Sequence, residues 1–224
     1  ACTFSFSCLG SPVPFSPIVR NYSVLDYNAG NENWAVTQDE RGVMYFGNNS
    51  GLLRYDGSRW KLFPLPTSGI VRAVYVASDR RIYVGSFEEF GYFEQNDLNL
   101  LEYHSLKEQV KGFDFHNDEI WTIVEQGENI IFQSFGSYFI YDGKGTKGVR
   151  CPELPLNLFR IGDTLYSQLI NGGVCTFAGD KFIPLISRQD LGDSDVLAGL
   201  PYPGGMLLLT RNSGGYIHTS SGIR

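Results

Sequence analysis

Cysteine, histidine and methionine are scarce in these 224 residues, at four, three and two. Cys2, Cys8, Cys151 and Cys175 form no Cys-x-x-Cys pair, and His104, His116 and His218 stand far apart. A zinc site therefore has no ligand spacing to start from, and no metal or other cofactor is expected. Lys and Arg number 18 against 24 Asp and Glu, giving a net charge of −6 without any basic run. That balance argues against a nucleic-acid surface on these residues and against electrostatic docking to anionic lipid. No apolar stretch reaches the ~18 to 20 residues that a membrane-crossing helix needs, so membrane attachment is expected only through segments outside this chain. Helical periodicity is missing too: no dozen residues place apolar side chains at i, i+3, i+4 and i+7. The nearest approach, Leu98 to Val110, is broken by Asn99, Tyr103-His104 and Ser105 and has room for one helical turn.

Aromatic residues are abundant, with 16 Phe, 13 Tyr and 3 Trp in a chain that is 42% hydrophobic and 19% charged. This is too aromatic for intrinsic disorder and too weakly charged for a coiled coil. The length suffices for one large all-β domain or two small ones with a real core. Ala1 to Pro17 is apolar and Ser-rich without an initiating Met, like the tail of a secretory signal peptide. Residues 1–20 are accordingly expected to be a leader remnant and lead-in segment, and the chain to be exported to an oxidising compartment. Cys8 as a lipidated cysteine is poorly matched, because Ser5-Phe6-Ser7 ahead of it departs from the usual Leu-Ala-Gly type of context.

The main signal is internal repetition. An ungapped offset of 38 places Ala35 on Ala73, Val36 on Val74, Tyr45 on Tyr83 and Gly47 on Gly85. A third unit runs from Ile120-Trp121-Thr122-Ile123 to Tyr141-Asp142-Gly143, repeating the ending of Tyr55-Asp56-Gly57. A fourth reads Leu158 to Ile161, Thr164 to Leu169, Val174 to Phe177 and Lys181 to Leu185. The fifth reads Val196 to Leu200, Met206 to Thr210 and Gly215 to His218, with its last strand expected to be missing. Within each unit, β-rich segments of four to six residues alternate with turn chemistry such as Asp39-Glu40-Arg41-Gly42, Asn49-Ser50-Gly51 and Asn171-Gly172-Gly173. Four strands at a period of roughly 40 residues are the signature of β-propeller blades. The expected fold is thus an all-β propeller over residues 21–224, with blades at roughly 33–71, 72–110, 119–155, 158–187 and 196–224. Two closures are open: a fragment of a larger propeller, which is favoured, or a five-bladed ring completed by Ile18 to Leu25.

The repeats closely resemble the periplasmic two-component regulator propeller of Bacteroidetes-type hybrid sensors and transcriptional regulators. The resemblance rests on Asn33-Trp34-Ala35-Val36-Thr37-Gln38-Asp39 with Gly42, Tyr45-Phe46-Gly47-Asn48, Gly51-Leu52-Leu53, Tyr55-Asp56-Gly57 and Trp60. A second block adds Ile70-Val71-Arg72, Ile82-Tyr83-Val84-Gly85-Ser86-Phe87 and Glu89-Phe90-Gly91-Tyr92. It is strong from about Asn21 to Gly143 and looser to Gly222. It implies a periplasmic, ligand-sensing ectodomain of a membrane-anchored regulator, rather than an enzyme.

Catalytic constellations are weak. Glu88 and Glu89 are adjacent on an extended segment and point to opposite sides. Asp114, His116 and Asp118 alternate as on one strand face, without a nucleophile tied to them, and read as a solvated edge. Asp56-Gly57 and Asp142-Gly143 are turn formers before they are calcium ligands. The sialidase S-x-D-x-G-x-T-W turn and any Gly-rich phosphate loop are absent. Binding is easier to place, on the loops between second and third strands, which a propeller gathers on one face. The candidate ligand-binding residues are Asn48, Asn49, Phe87, Glu88, Glu89, Asn171, Arg211 and Asn212. Amide, carboxylate and guanidinium groups beside Phe rings suit an oligosaccharide; a homodimer through the propeller is the other partner expected. Trp34 and Trp121, at equivalent inner-strand starts, are expected to pack between blades. The competing functions are a polysaccharide-active propeller enzyme and a protein-interaction scaffold.

Overall fold

The structure, a computed structural model, describes residues 19–67, 69–151, 153–178 and 181–224. The expected leader, with Cys2, Cys8 and Ile18, lies outside the described residues. Five four-stranded antiparallel sheets follow one another along the chain. Blade 1 comprises β1 (Asn33–Gln38), β2 (Met44–Asn48), β3 (Gly51–Tyr55) and β4 (Trp60–Phe63). Blade 2 comprises β5 (Ala73–Val76), β6 (Ile82–Gly85), β7 (Phe90–Gln95) and β8 (Leu101–Ser105). Blade 3 comprises β9 (Thr122–Gln126), β10 (Asn129–Gln133), β11 (Ser137–Tyr141) and β12 (Thr146–Arg150). Blade 4 comprises β13 (Pro155–Ile161), β14 (Thr164–Leu169), β15 (Val174–Ala178) and β16 (Lys181–Ile186). Blade 5 comprises β17 (Val196–Tyr202), β18 (Gly205–Thr210), β19 (Gly215–Thr219) and β20 (Gly222–Ile223).

Turn chemistry sets these lengths. Asp39 Oδ1 accepts the backbone N–H groups of Arg41 and Val43, both at 2.9 Å, while Gly42 takes a φ of +83°. Asp56 and Asp142 do the same at the third hairpins of blades 1 and 3, accepting from Arg59 and Gly145 at 2.8 Å each. A short side-chain acceptor followed by a residue free to adopt positive φ closes each hairpin.

The core lies between blades, as sheets that cannot bury a face alone require. Tyr45, Leu52 and Val43 of blade 1 pack on Val74, Val84 and Phe93 of blade 2. Tyr83, Phe90 and Tyr92 meet Phe132, Phe139 and Tyr141 of blade 3. Ile131 and Tyr138 pack on Leu158, Leu165 and Phe177 of blade 4, whose Val174 and Ile186 meet Val196, Met206 and Leu208 of blade 5. Each such aromatic or aliphatic burial is worth about 1.5–3 kcal/mol. The inner strands pack in succession, β1 on β5, β5 on β9, β9 on β13 and β13 on β17. Tyr45, Tyr83 and Phe132 are all buried, as the repeat register requires.

Three boundaries differ from the sequence reading. Blade 5 does have a fourth strand, short β20, because Ser220-Ser221 turns the chain back: His218 pairs with Ile223 and Thr219 with Gly222. The inner strand of blade 4 begins at Pro155, not Leu158; a bulge at Leu156, between the Pro155–Leu169 and Asn157–Gln168 pairs, conceals the alternation. The segment ahead of blade 1 is not a closing strand. Val24–Tyr27 forms one helical turn, and Tyr22 and Tyr27 pack on Trp60 at 5.2 and 5.5 Å between ring centroids. The turn expected within Leu98–Val110 is a 3-10 turn at Lys107–Gln109, after β8.

Candidate functional site

Because each blade repeats one rotation, residues of equal register share one height on the propeller. The second-to-third-strand loops define an upper face, and two sets of equivalent positions meet there. The first set begins the inner strands. Trp34 is the bulged residue between the Asn33–Asn48 and Ala35–Gly47 pairs, and Leu197 occupies the same kind of bulge in blade 5. Arg72 and Trp121 hold the corresponding places, donating their backbone N–H groups to Gly85 O at 2.8 Å and Gln133 O at 2.9 Å. The second set opens the loops: Asn49, Phe87, Phe135, Ile170 and Arg211, each next after the equivalent positions Asn48, Ser86, Ser134, Leu169 and Thr210, which end β2, β14 and β18 and directly follow β6 and β10.

These sets place the predicted residues unevenly. Asn49, Phe87 and Arg211 share the rim register, with Phe87 53% exposed. Glu88, Asn171 and Asn212 stand one residue further along the same loops. Glu88 has a φ of +47°; its carboxylate accepts the Asn117 N–H at 3.0 Å and lies 3.7 Å from Lys107 Nζ. Asn171, at φ +61°, lines a shallow cavity of about 450 Å³ with Leu154, Ile170 and Gly172. Asn212 N–H donates to Ser194 Oγ at 3.0 Å. Asn48 and Glu89 point inward instead. Asn48 is fully buried, its amide filled by Gly30, Glu32, Asn33 and Ser50. Glu89 is 8% exposed and accepts Tyr103 Oη at 2.7 Å and Ser105 Oγ at 2.8 Å. Burial first, then the Glu89 carboxylate, pushes the Tyr103 phenol well above its ordinary range.

Contrary to expectation, Trp34 and Trp121 are not buried between blades but meet at the surface. Trp34 is 43% exposed, and it forms an edge contact with Trp121 at 6.4 Å. The Arg72 guanidinium carbon lies 3.8 Å from the Trp34 ring centroid and 5.2 Å from that of Trp121. Such contacts hold the cation over the negative faces of the indoles. Trp34 Nε1–H donates to Asn49 Oδ1 at 2.7 Å, fixing the indole plane, and Asn49 Nδ2 donates to Glu32 at 3.0 Å. Arg72 Nε donates to Glu119 Oε1 at 2.7 Å, while its Nη1 is buried without an acceptor. Phe135, 44% exposed, extends the aromatic surface at 5.7 Å from Trp121. Arg72 and Glu119 are not among the residues expected from the sequence; the offset of 38 that sets Trp34 on Arg72 is the signal for the first.

The 114–119 link is not a strand edge. Asp118 is buried and accepts Ser134 Oγ at 2.8 Å, the His116 N–H at 3.0 Å and Arg150 Nη1 at 3.4 Å. Burial alone would raise this carboxyl, but the His116 N–H, the Ser137 and Ser134 hydroxyls and Arg150 together hold it below the ordinary carboxylate range. Asp114 and His116 are exposed. A larger cleft, about 780 Å³, opens on the opposite, lower face beside Asp39, Arg41, Asp79, Arg81, Glu94 and Glu125. Its charges are matched internally, Arg41 with Asp39 at 3.0 Å and Arg81 with Glu94 at 2.9 Å, while Glu125 accepts from Ser78 and Tyr75. These charged groups therefore have partners already, whereas Arg72 Nη1 has none. Among the described residues, no group of three or more metal-ligating side chains occurs, and no helix is long and apolar enough to cross a membrane.

The blades have solved counterparts. The extracellular domain of BT4673 from B. thetaiotaomicron, called a putative one component system in one structure and a putative hybrid two component system in another, superimposes with TM-scores of 0.62 and 0.63. Identity is 17% in both; the matches cover 86% and 88% of this chain and 27% of those chains. The chain thus spans about a quarter of their length. A catalytically inactive virginiamycin B lyase from Staphylococcus aureus with quinupristin gives a TM-score of 0.67 at 12% identity, over 92% of this chain and 72% of that one. At these identities the likeness is one of fold, a β-propeller. No protein-family model matches the chain, and no curated protein matches it.

Proposed function

We propose that the chain is the ligand-sensing part of an exported, membrane-anchored signalling or transcription regulator, and that it detects a glycan fragment in the periplasm. The observation that carries this reading is the upper face, where Trp34, Trp121 and Phe135 stand beside the Arg72 guanidinium and the Asn49 amide. Aromatic planes pack against the C–H faces of sugars, and fork-shaped polar groups hold their hydroxyls. The shared fold with the extracellular domain of a putative hybrid two component system supports a sensory role. Binding rather than turnover fits the carboxylates: Glu88 is held by Asn117 and Lys107, and Glu89 by Tyr103 and Ser105, so the adjacent pair has no free acid and base facing one another. The test is calorimetric titration of the purified chain with a panel of oligosaccharides, followed by chromatography of the recovered ligand. Saturable binding with the ligand returned unchanged is the expected result. Cleavage of the ligand, lost in Glu88→Gln or Glu89→Gln, would overturn the sensor in favour of an enzyme; a virginiamycin B lyase shares the fold.

A further inference from the structure

We infer that Trp34, Arg72 and Trp121, with Glu119 and Phe135, form a subsite for one uncharged sugar ring at the inner edge of the upper face. This rests on the glycan-sensing reading and narrows it, in place and in charge. Two observations converge. The platform is preformed: Trp34 is anchored through Asn49 at 2.7 Å and leaves 43% of its surface exposed. The site contains an unpaired donor, since Arg72 spends Nε on Glu119 at 2.7 Å and leaves Nη1 buried without an acceptor, with the guanidinium beside both indoles. A buried donor without a partner is costly, and a ligand hydroxyl or ring oxygen would satisfy it as a neighbouring side chain shifts aside to admit it.

Charge selects the ligand class. Glu119 cancels the charge of Arg72, and the Glu32 carboxylate, reached through Asn49, adds a negative charge with no ion-pair partner among the described residues. A uronate or sulfated sugar would bring another anion to two carboxylates and is repelled. An uncharged polyol meets no such repulsion, and it can accept from Arg72 and donate to Glu119 at once. The register explains why three blades build one subsite: Trp34, Arg72 and Trp121 are the same position of successive repeats, so they converge towards the axis.

The experiment titrates the full chain, in a Trp60→Phe background, with maltohexaose, cellohexaose, xylohexaose, mannohexaose and hexagalacturonate, reading calorimetry and tryptophan emission together. Trp60 stacks on Tyr55 behind blade 1, so the remaining emission comes from Trp34 and Trp121. At least one neutral hexasaccharide should bind and shift the emission. Its affinity should fall about tenfold or more in Trp34→Ala and in Arg72→Gln, as loss of a stacking plane or a fork donor predicts; hexagalacturonate should not bind. Arg72→Lys, which keeps the charge without the fork, should lose binding like Arg72→Gln, and thermal melts confirm that each variant is folded. A neutral probe that binds these variants as well as the parent overturns the subsite and leaves the glycan sensor standing. Preference for hexagalacturonate overturns the charge argument. Absence of calorimetric binding to all five probes overturns the subsite and the glycan reading together.

Discussion

Asn48→Ala should unfold the upper rim before it touches any ligand. Asn48 Oδ1 accepts the N–H groups of Gly30 and Ser50 at 2.9 Å each, and Nδ2 donates to Gly30 O at 2.8 Å, Glu32 O at 3.1 Å and Asn33 Oδ1 at 2.8 Å. One buried amide thus ties the lead-in segment to the end of β2. A hydrogen bond nets roughly 1 kcal/mol, and each buried group left without a partner costs about 1–3 kcal/mol. Water can refill part of the vacated site, because Gly30 and Ser50 are only half-buried, which brings the expected loss to about 2–4 kcal/mol. For a domain of this size that is a fall in Tm of roughly 4 to 16 °C. Asn48→Asp should be no milder near neutral pH, since its second oxygen would face the oxygens of Gly30, Glu32 and Asn33, and it should recover in part where the new carboxyl is protonated and can donate. Urea unfolding of both variants, with the m-value compared to confirm two-state behaviour, measures the loss. An Asn48→Ala variant within about 0.5 kcal/mol of the parent, the range of an indifferent surface change, would refute the assignment of Asn48 to architecture.

Tyr83→Ala should cost about 3–5 kcal/mol, as removal of a large buried aromatic between blades 2 and 3 does, whereas Tyr83→Phe loses the hydroxyl's contacts with Asp79, at 2.8 Å, and Arg81 and about 1.5–3 kcal/mol, the range for bonds to charged groups; chemical denaturation separates the two. The depressed Asp118 carboxyl stabilises the fold above its unfolded pKa of about 3.9, and this contribution is lost as the pH falls through the lower folded value. The Tm of the parent should therefore drop with acid below about pH 4, and Asp118→Asn should flatten that part of the profile. Burial pushes the Cys151 thiol up to about 12 and also raises Cys175, so both should resist iodoacetamide at pH 8 in the folded chain and react on unfolding in urea. Gly85→Ala should separate blades 2 and 3, because an added Cβ would lie 2.4 Å from Ile120 Cγ2; a loss of stability with the strand content by circular dichroism retained is the expected reading.

The blades were legible because repetition and turn chemistry agree: the offset that sets Tyr45 on Tyr83 also sets Gly47 on Gly85, and Asp-Gly turns end the third strands of blades 1 and 3. Blade 4 was harder, since the bulge at Leu156 interrupts strict alternation and Leu154-Pro155 reads as loop. The site was only partly legible. A polar residue at the start of a loop can face solvent or satisfy the backbone, and the sequence of Asn48 is the same in either case; burial and five hydrogen bonds decide it. Glu88 and Glu89 do not lie on an extended segment as expected: the left-handed backbone at Glu88, φ +47°, turns its carboxylate towards the blade 2–3 link, while that of Glu89 faces Tyr103. The Trp34–Arg72–Trp121 grouping needs the rotation from blade to blade, a distance relation across 38 and 49 residues that local composition does not carry.

Hydrogen exchange of the chain with and without a saturating neutral hexasaccharide tests the central claim, that the upper face is the sensing surface. The account predicts slower exchange confined to the upper face, in residues 30–34, 49–50, 70–72, 87–88, 119–121 and 134–136, with the lower turns 39–42, 78–81 and 142–145 unchanged. Protection centred on the lower cleft beside Asp39, Asp79 and Glu125, with the upper segments unaltered, would contradict it.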